Sequence, residues 1–387
     1  MMTEAAPPRM DLRLAALLIG VILSTVDSSA LNLALPTLAA HFGTDASAVQ
    51  GAISLYLVGS ALAFLPLSSI AGRIGTVRVY RISLATFALI SQFLAFSPNL
   101  QTLLVLRFLQ GIAGAGIVGL VPGMTAATFR EHRGWALGMV SGSVAAGTLI
   151  GPPLGGFLVE WLGWRSIFYI NLPFGLLALL LSSRLTELMG VGLVEGLRRI
   201  VRAPRFILAL ASTVCFFIHS FGTNLIWPFY LEAGGMSPAK VGLFMLVPPV
   251  MLMVAGPSCG KMSDSRGYDR VSWLGSAVLM AASLGQGLSG SVIIGLMGIG
   301  IGRALFQAAN NAAVLSQAPE GTNTVASGLL SIARVSGQAL GSVLAGILWG
   351  KLEHGGTSRA FLVVNLVMAA VAALAGCLII GRSRIKS

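Results

Sequence analysis

The chain has 387 residues, of which 55% are hydrophobic and only 10% are charged, and its mean hydropathy is +0.86. Soluble proteins carry about a quarter charged residues, so this balance excludes an ordinary soluble domain and indicates an integral membrane protein. The formal net charge of +12 raises a nucleic-acid surface as an alternative, which turns on where the cations lie.

Apolar stretches near the ~20 residues needed to cross a bilayer as a helix fall at 14–36, 49–70, 82–97, 102–125, 135–159, 166–183, 206–230, 241–259, 272–289, 291–315, 325–350 and 360–380. About twelve spans are predicted, giving an all-α membrane protein. The first stretch is long, lacks a small-residue cleavage pattern and carries Asp27, so it reads as a retained span rather than a secretory signal. Ser24, Asp27 and Ser28 follow i, i+3, i+4 and form one polar stripe on it, with Asn32 a turn further on. Asp27 is the one carboxylate deep in a predicted span, a position that is costly in hydrocarbon and usually functional.

After the second span, which contains Tyr56, comes Ser68-Ser69-Ile70-Ala71-Gly72-Arg73-Ile74-Gly75; after the eighth comes Gly260-Lys261-Met262-Ser263-Asp264-Ser265-Arg266-Gly267. Span four holds Arg107 and Gln110, answered in span ten by Arg303 and Gln307. These echoes predict two six-span bundles, 1–183 and 206–387, with a substrate site between the repeats. Arg107 lies about 22 Å from the inner face and Asp27 about 20 Å, at 1.5 Å per residue. The matching depths allow an Asp27–Arg107 pair, whose carboxylate takes up a proton when its partner changes. A static structural ion pair is the alternative.

In span five, Gly147, Gly151 and Gly155 recur every fourth residue beside Gly156, with Pro152 among them, and Gly138, Gly142 and Ala146 form a second ladder. Such stripes let helices approach closely, and here they predict a packed seam with a hinge, along which the two bundles slide. Residues 184–205 carry five arginines and two glutamates, and Leu188, Val191, Leu193, Val194, Leu197 and Ile200 predict an amphipathic linker helix on the membrane surface. Further polar stripes occupy span seven (Ser220, Asn224 and Trp227, beside His219), span ten (Arg303, Gln307, Asn310, Asn311) and span eleven (Arg334, Gln338). Together with Ser24, Ser28, Asn32, Tyr56 and Gln110 they are expected to line one cavity. Arg107, Arg303 and Arg334 outnumber Asp27, which favours a neutral or anionic substrate over a permanent cation.

Arg9, Arg13, Arg73, Arg78, Arg81, Arg130, Arg133, the linker arginines, Lys261, Arg266, Arg270, Arg382, Arg384 and Lys386 fall on one side of this topology; Arg165, Lys240, Lys351 and Arg359 fall on the other. That is the positive-inside bias, placing both termini in the cytoplasm and making the basic charge topological, with no nucleic-acid partner expected. The sequence has no GxSxG elbow, phosphate loop or HExxH, so neither an enzyme nor an ATP-driven pump is expected. The four histidines, His41, His132, His219 and His354, are too scattered for a metal site, and Met245, Met251 and Met253 read as packing rather than copper ligands. No cofactor is expected beyond the proton gradient, and the partners are a small-molecule substrate, protons and membrane lipids, with the protein a monomer.

Asp27-Ser28-Ser29-Ala30-Leu31-Asn32-Leu33-Ala34-Leu35-Pro36, Arg107-Phe108-Leu109-Gln110-Gly111, the 147–156 run and Gly163-Trp164-Arg165 through Asn171-Leu172-Pro173-Phe174-Gly175 resemble the major facilitator superfamily, in particular its drug:proton antiporters. The resemblance covers nearly the whole chain, and its first and last segments are most like the fourteen-span branch, of which this is a twelve-span relative. It implies that the 147–156 run is the antiporter signature and that the direction is export. The family's inner loop carries an acidic residue where Gly72 stands, so the latch formed by Arg73 and Gly75 is expected to be weak. Asp264 and Gly267 would retain it in the second half, and Gly72→Asp is expected to restore it in the first. Import by a symporter or facilitator on the same scaffold, and a non-transporting receptor, are the other readings.

Overall fold

The computed structural model describes residues 11–44, 46–289, 292–352 and 356–385; Arg9, His354 and Lys386 lie outside them. The described residues form α1 (Leu12–Phe42), α2 (Ala46–Ile74), α3 (Thr76–Ala95), α4 (Leu100–Thr128), α5 (Arg133–Leu162), α6 (Ser166–Tyr169), α7 (Asn171–Leu181), α8 (Leu193–Val201), α9 (Pro204–Ala233), α10 (Pro238–Met245), α11 (Val247–Arg266), α12 (Tyr268–Ser289), α13 (Val292–Ser316), α14 (Asn323–Leu352) and α15 (Thr357–Arg384). Among the described residues, eleven segments are long and apolar enough to cross a membrane. The predicted ninth span falls on α12.

Local sequence sets the helix ends. The Asp11 carboxylate caps α1 by accepting from the Leu14 N–H at 2.9 Å, and Gly43, with φ of 61°, ends it in the left-handed conformation that glycine adopts without strain. Pro152 and Pro153 do not break α5, which runs on to Leu162.

The helices pack as two related bundles. In the first half α1 packs on α5, α2 on α4, and α3 on both α4 and α7; in the second, α9 packs on α14, α11 on α13, and α12 on both α13 and α15. Each pairing in one half thus has its counterpart in the other. Small residues permit the close crossings, since lipid supplies little hydrophobic drive and helix contact must come from van der Waals packing. On α5, a Cβ at Gly147, Gly151 or Gly155 would collide with Thr25, Ser29 or Ala30 of α1, and on α14 one at Gly337 or Gly341 would collide with Val214, Phe217 or Ile218 of α9.

The expected seam therefore changes place. Gly147, Gly151 and Gly155 do not face the opposite bundle; they seat α5 on α1 within their own half, where the Ser29 hydroxyl also donates to the Gly147 carbonyl at 3.1 Å. Gly156, beside them, is half-buried. The ladder that crosses between the halves is the second one. Gly134 and Gly138 meet Gly260 and Gly256 of α11, backbone against backbone, and Gly142 meets Met253.

The halves also meet at the end of the molecule that bears the linker. There Gly123 N–H donates to Ser327 Oγ at 3.1 Å, and the Ser327 hydroxyl donates to the Gly119 carbonyl. The Asp264 carboxylate, from α11, accepts from the N–H groups of Gly134 (2.6 Å) and Trp135 (2.9 Å) in the first turn of α5. These are orphan donors of a helix N-terminus that His132, at the N-cap, leaves unsatisfied. A carboxylate of one half thus closes a helix end of the other.

The linker departs from the predicted continuous helix. Gly190 and Gly192 keep 185–192 extended, and only Leu193–Val201 is helical. The extended part straps the two halves: Glu187 accepts from the N–H groups of Val77 and Arg78 at the start of α3, Gly190 N–H donates to the Gly72 carbonyl at 3.0 Å, and Val191 N–H donates to the Gly321 carbonyl at 3.0 Å. Gly72 is buried under this strap. Gly75 and Gly267 occupy matching turns with φ of 110° and 92°, and Arg73 is exposed beside Gly192.

Candidate functional site

α1 and α4 carry Asp27 and Arg107 to the same depth, and Arg107 Nη1 lies 2.7 Å from Asp27 Oδ2 with both side chains fully buried. Neither charge depends on the other alone. Asn171 Nδ2 donates to Asp27 Oδ1 at 2.6 Å and Gln110 Nε2 approaches the same oxygen at 3.4 Å. Arg107 also donates to Gln110 Oε1 and to the Ala52 carbonyl, and its guanidinium lies 4.6 Å from the centre of the Tyr56 ring. Ser91 of α3 accepts from both Gln110 and Asn171, at 2.7 and 3.1 Å. The result is a buried polar network drawn from α1, α2, α3, α4 and α7.

An ion pair out of water is stable only when its remaining hydrogen-bonding capacity is met. Here each member has neutral partners besides its counter-charge: Asp27 the Asn171 amide, and Arg107 Gln110, the Ala52 carbonyl and the Tyr56 ring. Arg107 Nη2 has no hydrogen-bond partner, so Asp27 is the counter-charge that holds the guanidinium in place.

Beside this network lies an open cavity of about 370 Å³, lined by α1, α2, α4 and α5 from the first half and by α14 from the second. Of the residues expected in a cavity, Ser24, Ser28, Asn32, Tyr56, Arg334 and Gln338 line it. Tyr56 is the partition: its hydroxyl is 2.9 Å from Ser24 Oγ on the cavity wall while its ring covers Arg107. Arg334 brings a positive charge to the wall, and its Nε is buried without a hydrogen-bond partner.

The remaining candidates sit elsewhere. Gln110 belongs to the Asp27 network. His219 is fully buried with Nε2 2.9 Å from Ser283 Oγ, a contact between α9 and α12 away from the cavity. Trp227 is buried in the second half's core against Tyr230 and Phe361. Arg303 lies outside the cavity lining, its Nη2 donating to the Ser220 carbonyl and Asn224 Oδ1 while its Nε has no hydrogen-bond partner. Asn310 joins α9 to α13 and α15, donating to Thr213 Oγ1 and accepting from Ser212 and Arg382. Gln307 and Asn311 also lie on α13 outside the lining. Helical period places residues on one face but does not say whether that face meets a cavity or a neighbouring helix. Sequence reasoning missed Ser91 and Asn171 as network members; Asn171 stood inside the 163–175 segment, where its motif was the available signal.

A family model described as Major Facilitator Superfamily matches residues 17–342. Similar curated proteins include the riboflavin transporter RibZ of Clostridioides difficile (strain 630), 26% identical over 84% of this chain and 85% of that one. Another is the multidrug resistance protein Stp of Mycobacterium tuberculosis (strain CDC 1551 / Oshkosh), 26% identical over 88% of this chain and 77% of that one. Among solved structures, the transporter FucP in its outward conformation superposes with a TM-score of 0.77 at 16% identity, covering 96% of this chain and 99% of that one. With an all-helical fold and a family match across most of its length, this chain belongs to the major facilitator superfamily and is a multi-pass membrane transporter rather than an enzyme.

Proposed function

We propose that this transporter is a proton-coupled exporter of small organic molecules, exchanging them for protons across the cell membrane by alternating access, as a monomer with both termini in the cytoplasm. The observation that carries this reading is the buried Asp27–Arg107 pair with its neutral partners, set one aromatic ring away from the cavity. The cycle follows from that geometry. With Asp27 ionised and paired, the linker end is held closed by Asp264 and the strap, and the cavity faces outward. A proton entering past Ser24 and Tyr56 neutralises Asp27 and releases Arg107, which loosens α1 from α4 and lets the bundles rock about the Gly134–Gly142 ladder. Loading substrate from the inside then favours return of the proton to the cytoplasm, because a ligand at the cavity wall and a neutral Asp27 compete for the same arrangement of Tyr56.

The unpartnered Arg334 favours substrates that are neutral with good acceptors, or anionic. Similarity to the multidrug resistance protein supports export. Similarity to the riboflavin transporter favours a second reading, import of a metabolite on the same scaffold. Everted membrane vesicles energised by respiration and loaded with a pH-reporting dye separate the two. Adding an exported substrate should release protons from the vesicle lumen only when the intact protein is present, whereas a proton-coupled import substrate would move with the protons and not against them.

A further inference from the structure

A second, larger cavity of about 980 Å³ opens at the linker end of the second half, between the ends of α9, α11, α12, α13 and α15, away from the substrate cavity. Its wall carries Arg205, Arg266 and Arg270, against one carboxylate, Asp269. That carboxylate is already neutralised. Arg382, fully buried behind the wall, places Nη2 2.7 Å from Asp269 Oδ1 and donates from Nη1 to Asn310. Among the described residues no carboxylate pairs with the three wall arginines, and Arg205 Nε is buried with no hydrogen-bond partner. An excess of guanidinium in a concave site is an unfilled anion site.

The cavity does not end at the membrane surface. Trp273 and Ile380 line it and also line a nearly wholly apolar groove between α12 and α15, continued by Ala277, Met280, Ala373 and Gly376. Ser276, in the same groove, hides its polarity by donating to the Ala372 carbonyl at 2.7 Å. From Trp273 to Met280 the groove descends about 10 Å along the helix, and cavity and groove together span about 18 Å from Tyr268, room for the upper part of an acyl chain. Trp273 and Ile380 remain 45% and 39% exposed at the junction, where an indole belongs at a headgroup boundary.

We propose that this cavity and groove bind an anionic membrane phospholipid, its headgroup phosphate among Arg205, Arg266 and Arg270 and one acyl chain in the α12–α15 groove. Charge selects the headgroup, and the continuity of the basic cavity with the apolar groove selects a lipid over a free anion. Neither feature touches the Asp27 network, so the site is independent of the coupling machinery. It joins α9 and α15 to the end of α11, one turn beyond Asp264, so an occupied site braces the element that closes the linker end.

The full-length protein, purified in detergent, is titrated with phosphatidylglycerol carrying brominated acyl chains, and the part of the tryptophan emission lost in Trp273→Phe is followed. Brominated phosphatidylglycerol should quench that part at mole fractions where brominated phosphatidylcholine of the same chains does not. Arg270→Gln and Arg205→Gln should each raise the midpoint about fivefold, the effect of one arginine near the membrane surface. Gly376→Leu, which fills the groove with no change of charge, should abolish quenching by either lipid at this position. Arg270 and Gly376 line the site's surfaces, so these two variants keep the test open should Arg205→Gln fold poorly. Equal quenching by the zwitterionic lipid, or midpoints unmoved by the arginine variants, would overturn the proposal. Full protection against quenching by millimolar inorganic phosphate would replace the lipid with a small anion.

Discussion

Asp27 and Arg107 are isolated from the cavity by a single side chain, and most of what can be tested at residue scale concerns that partition. Tyr56 contributes two separable things, a hydroxyl to Ser24 and a ring over Arg107. Tyr56→Phe removes one hydrogen bond, worth about 1 kcal/mol net, and keeps the ring; transport in proteoliposomes is expected to fall by no more than about tenfold. Tyr56→Ala opens the pair to the cavity and is expected to uncouple it, so that protons leak through the variant without substrate. A leak-free Tyr56→Ala would show that the ring is not the barrier. Arg334 tests substrate charge. Because its Nε lacks a partner, Arg334→Gln should weaken binding of an anionic substrate roughly 10- to 100-fold, the range for a lost charge-assisted hydrogen bond of ~1.5 to 3 kcal/mol. A neutral substrate should lose far less, and equal losses for both would place Arg334 outside recognition.

At the scale of elements, the two glycine ladders of α5 make opposite predictions. Gly256→Leu, on the α11 side of the crossing between halves, forces apart backbones that touch when the linker end is closed. Cysteines placed near Gly123 and Ser327 should then become reactive to a membrane-impermeant thiol reagent from the linker side, with the protein still folded. Gly151→Leu instead collides with Ser29 of α1, next to the Asp27 network, and is expected to cost stability rather than shift conformation, seen as a lower melting temperature and poor yield. Reversed outcomes would return the sliding seam to the 147–155 stripe. The strap yields a similar reversal at Gly72. A Cβ there would stand 2.5 Å from the Val191 carbonyl oxygen, so Gly72→Asp displaces the linker and loosens the linker end, contrary to the strengthened latch expected from sequence. Reduced thiol reactivity at that end in Gly72→Asp would contradict the strap. Both lessons have one cause. The spacing of Gly147, Gly151 and Gly155 says that they share a face but cannot say which helix covers it, and Leu188 and Val191 keep helical spacing through a stretch that Gly190 and Gly192 hold extended.

For the molecule as a whole, much was legible because membranes leave few choices. Backbone groups in lipid must be satisfied within helices, so apolar length alone pointed to the spans. The depth of Asp27 and Arg107 was equally readable, since rise per residue converts position into distance. What sequence could not supply was lateral placement. His219, Trp227, Arg303 and Asn310 lie on polar or aromatic stripes like the lining residues, yet they sit in helix contacts of the second half. The cavity is in consequence asymmetric, with the Asp27–Arg107 pair beside it in the first half and α14 contributing Arg334 to its wall. The most direct measurement of this account is substrate-induced proton movement by Asp27→Asn in purified proteoliposomes, with the pH-reporting dye inside and a compound exported by the unaltered protein added. The neutral amide keeps the size of the side chain and removes the titrating group; its single oxygen still accepts from one of Arg107 and Asn171, so the variant is expected to fold and bind substrate while proton exchange falls at least about 100-fold. Full substrate-driven proton exchange by Asp27→Asn would contradict the central claim.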